Sequence, residues 1–151
     1  SGAGTNRYVW FSYSTDGGKT WEANSVTTAN FSGFPCLAIN STGIPYVGMH
    51  MSASPTRGFL WSDAVFGAGS WSEVGIIPQT PIAFVWPHIA VTTNNNVVYA
   101  GCPNPGFQGH YNTWNGSSWF ANNIELLNSC ANSIFLIHFL ETRIEIQGSN
   151  A

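Results

Sequence analysis

The residues able to do acid, base or nucleophilic chemistry are few. The chain has 151 residues, of which 4 are Lys or Arg and 7 are Asp or Glu. The carboxylates are Asp16, Asp63, Glu22, Glu73, Glu125, Glu141 and Glu145. Cleaving a glycosidic bond needs two carboxyls facing each other across the sugar, and no pair here has a spacing that suggests it. The cations are more suggestive. Counting back four residues from each of Phe11, Trp61 and Trp114 gives Arg7, Arg57 and His110, a slot that carries a cationic or ionisable side chain three times. A guanidinium presents forked N–H donors that match carboxylate or sulfate oxygens, so this slot is a candidate for binding acidic groups. His50, His88, His110 and His138 are tens of residues apart, and Cys36, Cys102 and Cys130 lack a CxxC spacing. No metal site and no cofactor are expected.

Composition narrows the scaffold that must position these residues. Charged residues are 7% of the chain, with 16 Gly, 8 Pro, 7 Trp and 10 Phe. Ordinary soluble domains carry about 25% charge, and helical surfaces or coiled coils need it. The pattern belongs to an all-β chain rich in turns. A net charge of −3 with a single lysine, Lys19, offers no basic patch for nucleic acid. The longest apolar run, residues 134–140, is far below the roughly 20 residues that span a bilayer, so no membrane insertion is expected. The scarcity of lysine and the Trp, Asn and Thr content suggest a secreted, periplasmic or cell-surface protein. Ser1-Gly-Ala-Gly4 lacks the features of a signal peptide, so the chain is expected to be mature or cut from something longer.

The sequence repeats itself. Phe34-Pro-Cys-Leu-Ala-Ile39 returns 52 residues later as Trp86-Pro-His-Ile-Ala-Val91, Tyr46-Val-Gly48 returns after 53 as Tyr99-Ala-Gly101, and Trp61 matches Trp114. Trp21, Trp71 and Trp119 step by 50 and 48. Each unit reads as four short strands separated by Gly, Asn and Ser turns. Four strands in about 50 residues is the size of a β-propeller blade.

Ser14-Thr-Asp-Gly-Gly-Lys-Thr-Trp21 carries Ser14, Asp16, Gly18 and Trp21 at the spacing Ser-x-Asp-x-Gly-x-x-Trp. Asp16 is expected to accept backbone N–H groups in a tight turn, Gly17 and Gly18 to supply positive φ, and Trp21 to pack into the blade. On these residues the chain resembles the Asp-box (BNR repeat) propellers, which include sialidases and secreted binding proteins. The other units keep only degenerate forms, Gly67–Trp71 and Asn115–Trp119, which lack the aspartate. The resemblance makes the Asp-box a structural turn between the third and fourth strands of a blade.

That phase makes residues 7–26 a half blade (strands C and D), residues 34–76 and 86–122 two whole blades, and residues 133–147 a half blade (strands A and B). The resulting single unit over residues 1–151 holds about three blades, and three cannot close a ring. Two copies give a six-bladed ring if each half blade is completed by the other chain, which predicts a two-fold homodimer. A piece of a longer propeller is the alternative.

The resemblance implies a ligand face at the end opposite the Asp-box turns. Arg7, Arg57, His110, His50, Trp86, Asn104, Phe107 and Gln108 fall on or beside its loops, with Phe34 as a second aromatic. Cys102 and Cys130 fall at the same end of neighbouring blades and are candidates for a disulfide. The sialidase-like catalytic set is incomplete, so the expectation is a non-catalytic extracellular propeller that binds glycan or another ligand. A glycoside hydrolase or sialidase-like enzyme, or a fragment of one, and a protein-interaction scaffold are the alternatives.

Overall fold

A computed structural model describes residues 7–27, 32–51, 57–78, 84–103 and 109–127. Asn104, Phe107, Gln108, Cys130 and the strands expected over 133–147 lie outside the described residues. Ten strands and no helix occur among the described residues: β1 (Trp10–Tyr13), β2 (Glu22–Ser25), β3 (Ser32–Ile39), β4 (Pro45–Met51), β5 (Arg57–Asp63), β6 (Trp71–Glu73), β7 (Phe84–Val91), β8 (Val97–Pro103), β9 (Gly109–Trp114) and β10 (Trp119–Leu127). They form three antiparallel sheets, β1-β2, β3-β4-β5-β6 and β7-β8-β9-β10, each strand pairing with its neighbour in sequence.

The sheets stack face to face because alternate side chains are apolar on both faces of the middle one. From β4, Val47, Met49 and Met51 join Phe59 of β5 against Phe11 of the first sheet and Val9 and Val26, which flank its strands. Tyr46 and Leu60 of the middle sheet, with Ile77 just after its last strand, pack with Ile89, Val97 and Tyr99 of the third. Each fully buried Met or Leu contributes roughly 1.5–3 kcal/mol by leaving water. Tyr99 fills a notch: its ring lies over Gly48 and Gly58, a Cβ on Gly58 would overlap its hydroxyl, and that hydroxyl donates to the Met49 carbonyl at 3.2 Å. Burial pushes the Tyr99 phenol well above its ordinary pKa.

One end of the stack is built from turns closed by side-chain oxygens. Asp16 Oδ1 accepts from the backbone N–H of Lys19 and Thr20, both at 2.9 Å, and Oδ2 accepts from the Thr20 hydroxyl at 2.7 Å. Ser14 Oγ accepts from Gly18 N–H at 2.7 Å, and Gly17 and Gly18 hold φ of +74° and +87°. These bonds to the ionised carboxylate lower the Asp16 pKa to about 2. The β5–β6 turn is held by an aspartate as well. Asp63, 1% exposed, accepts from the N–H of Ala64, Gly69 and Ser70 at 2.8–3.0 Å. In the β9–β10 turn Asn115 Oδ1 accepts from Ser117 and Ser118 N–H. Both degenerate units therefore retain a side-chain acceptor, drawn from outside the short motif in one case and amidated in the other.

Two sequence expectations are corrected. Trp21 is 66% exposed, its indole N–H bonded to the Gly18 carbonyl, whereas its counterparts Trp71 and Trp119 pack against the two cores. Among the described residues the first sheet has two strands, against four in each of the others. The pairing of Tyr46 with Tyr99 in the repeat is also wrong by one residue. The β3–β4 and β7–β8 turns are equally long, with Ile39 opposite Pro45 and Val91 opposite Val97, so Val47 corresponds to Tyr99. A slip of one residue reverses the face, and Tyr46 indeed faces the third sheet while Tyr99 faces the second.

Candidate functional site

The end of the stack opposite the side-chain-closed turns gathers several chemistry-bearing residues, and two backbone irregularities set their positions. In β3 the register shifts between Gly33, opposite His50, and Cys36, opposite Gly48. In β7 it shifts between Val85, opposite Cys102, and His88, opposite Ala100. Each shift is a bulge in which two residues, Phe34-Pro35 or Trp86-Pro87, oppose one. Proline cannot donate to a ladder, so a bulge is where a strand admits it. The aromatic ahead of each proline has a left-handed backbone, φ +51° at Phe34 and +50° at Trp86. An L residue there costs about 1–2 kcal/mol, and the position normally suits glycine. Both side chains are nevertheless large and exposed, Phe34 by 57% and Trp86 by 48%.

His50 ties the two bulges together. It is 7% exposed, its Nδ1 accepts the Trp86 backbone N–H at 3.1 Å, and the Phe34 ring lies 4.9 Å from its own at a tilt of 36°. Burial, then the charge of Arg7, lowers the His50 pKa below the ordinary histidine value. An Nδ1 that accepts leaves the ring proton on Nε2. That nitrogen and Arg7 Nη1 border one small space over Gly33, where a Cβ would lie 4.0 and 3.8 Å from them. Arg7 is held in turn by its carbonyl, which accepts the Ser32 N–H at 3.2 Å.

Of the residues singled out in the sequence, Arg7, His50 and Trp86 come together, with Phe34 beside them. Arg57 stands apart. Its guanidinium carbon lies 4.1 Å from the Phe59 ring centroid, above the core shared with the first sheet. Burial raises the Glu73 pKa, and the Arg57 charge opposes that rise. His110, part-buried on β9, pairs opposite Gly101, while Arg57 pairs opposite Met51. With the equal turns superposed, Gly101 corresponds to Met49, whose partner is Phe59. The shared slot of Arg57 and His110 is thus a feature of sequence spacing, and the two sit on different rungs. Cys102, on the rung corresponding to His50, is disulfide-bonded. Cys36 Sγ lies 3.2 Å from the Pro87 carbonyl oxygen.

Nothing in the sequence marks Gly33 or the bulge geometry directly. The repeated aromatic-Pro was the available signal, although it says nothing about the sign of φ. Among the described residues no helix is long and apolar enough to cross a membrane, and no group of three or more His, Cys, Asp or Glu is placed to hold a metal ion. Compared with known proteins, the chain matches no family model, no curated protein and no solved structure.

Proposed function

We propose that the three sheets are successive blades of an Asp-box type β-propeller, and that the end bearing Phe34, His50 and Trp86 binds a saccharide without cleaving it. The observation that carries the reading is the pair of left-handed bulges 52 residues apart, each exposing an aromatic ring at the same end of the stack. Strained backbone persists where surrounding structure enforces it, and it clusters at ligand sites. Exposed aromatic faces with polar groups between them are what a sugar ring stacks on. Asp16 and Asp63 hold turns at the opposite end, which supports binding over hydrolysis.

Among the described residues the first sheet has two strands beside two sheets of four, which supports ring completion by residues 133–147 of a second copy, six blades in a two-fold dimer. A disulfide at Cys102 supports residence in an oxidising compartment outside the cytosol. The test is a glycan array probed with wild-type protein and with Trp86→Ala, alongside native mass at micromolar concentration. Saccharide binding that Trp86→Ala weakens, and a mass of two chains, are expected. An empty array would favour a protein-interaction scaffold, turnover of a fluorogenic sialoside would favour a hydrolase, and a mass of one chain would remove the closure.

A further inference from the structure

Resting on the saccharide reading, we infer that the occupant carries an oxyanion, a carboxylate or a sulfate ester, seated over Gly33 between Arg7 and His50. Arg7 Nη1 and His50 Nε2 border the same small space, at 3.8 and 4.0 Å from where a Gly33 Cβ would be. The space exists because residue 33 has no side chain. His50 enters it as a donor, since its Nδ1 is engaged by the Trp86 N–H at 3.1 Å and its ring is held by Phe34. The two groups therefore offer one charged and one neutral N–H donor to a single acceptor group, and the bond from the guanidinium to an anion is charge-assisted.

The distribution of carboxylates agrees. Asp16 and Asp63 are held in the turns of the other end, Glu22 accepts the Tyr13 hydroxyl at 2.8 Å, and Glu73 feels Arg57. None of these four neutralises Arg7. The corresponding rung of the third sheet has Val85 in place of Gly33 and the disulfide-bonded Cys102 in place of His50. Among the described residues, one such site follows.

Titration calorimetry on the whole protein decides it, using three oligosaccharides of one backbone: neutral, with a uronic acid, and with a sulfate ester. The wild type is expected to bind at least one acidic form about tenfold or more tightly than the neutral one, at one site per chain, with the ratio falling as salt rises. The uronate and sulfate arms show which oxyanion is preferred. Arg7→Gln is expected to reduce the acid-to-neutral ratio about tenfold. Lys19→Gln, which removes the same charge from an exposed turn at the other end, is expected to leave the ratio unchanged. Equal affinity for neutral and acidic forms, or a ratio insensitive to both salt and Arg7→Gln, overturns the oxyanion while leaving saccharide binding intact. Binding of none of the three overturns both readings.

Discussion

Replacing Phe34 and Trp86 by glycine and by alanine turns the bulge geometry into a stability measurement. In an ordinary strand glycine is worse than alanine by about 0.5–1 kcal/mol, because it has more backbone freedom to lose. At φ near +50° alanine keeps the left-handed penalty of about 1–2 kcal/mol and glycine does not. The difference leaves each glycine variant about 1 kcal/mol more stable than the matching alanine variant, the reverse of the usual order. Relative to wild type, Phe34→Gly also loses ring packing on His50, about 0.5–1.5 kcal/mol for an aromatic pair, so its stability stays close to that of the parent. Thermal unfolding followed by circular dichroism resolves the glycine–alanine gap as roughly 2–4 °C in Tm for a chain of this size. Because the Phe34 ring and the Trp86 backbone N–H both meet His50, the double variants need not be additive. An alanine variant as stable as its glycine partner at both sites would refute the left-handed bulge and, with it, the strain that supports a ligand site.

Three further outcomes follow from the same contacts. Gly58→Ala forces a methyl into the Tyr99 hydroxyl and should cost about 1–3 kcal/mol; adding Tyr99→Phe should recover part of that loss, as a double-mutant cycle by urea unfolding would show. Asp63→Ala leaves three turn N–H groups without their acceptor and should cost roughly 2–4 kcal/mol, with Asp63→Asn costing less, measured as the shift in urea midpoint. His50 has a folded-state pKa below its unfolded 6.5, so the unfolded chain takes up the proton first. Stability should be fully present above pH 6.5 and fall as pH drops through the lowered folded value, a slope that His50→Gln should flatten in a Tm series across pH.

The parts of the fold legible in the sequence were those governed by local chemistry. Asn, Gly and Ser turns marked the ends of β3, β7 and β9, and the contacts of Ser14 and Asp16 could be anticipated because all their partners lie within four residues. What escaped depended on longer distances or on register. Asp63 reaches Ser70 across seven residues, a span that no fixed motif describes. The Tyr46–Tyr99 mismatch arose because identical residue types masked a one-residue offset, and only the ladder shows which face each occupies. The slot joining Arg57 and His110 dissolved for the same reason. Arg7, His50 and Trp86 each fall at one end of a strand by sequence, yet their convergence depends on the bulges and on a glycine without any chemistry of its own.

The notch that receives Tyr99 also gives the repeats an order. Tyr99 fits because the preceding sheet offers glycine at both 48 and 58, whereas by register the third sheet offers Ala100 and Gly109 at those places. A copy of the third unit placed after itself would meet the Ala100 methyl beneath its isoleucine, because a Cβ at position 48 lies 2.7 Å from Ile89 Cγ2 and 3.4 Å from the Tyr99 ring. The units are therefore not interchangeable modules: shuffling or duplicating them demands a compensating change across each new junction, and the chain's sequence of sheets is written into the shapes of their faces.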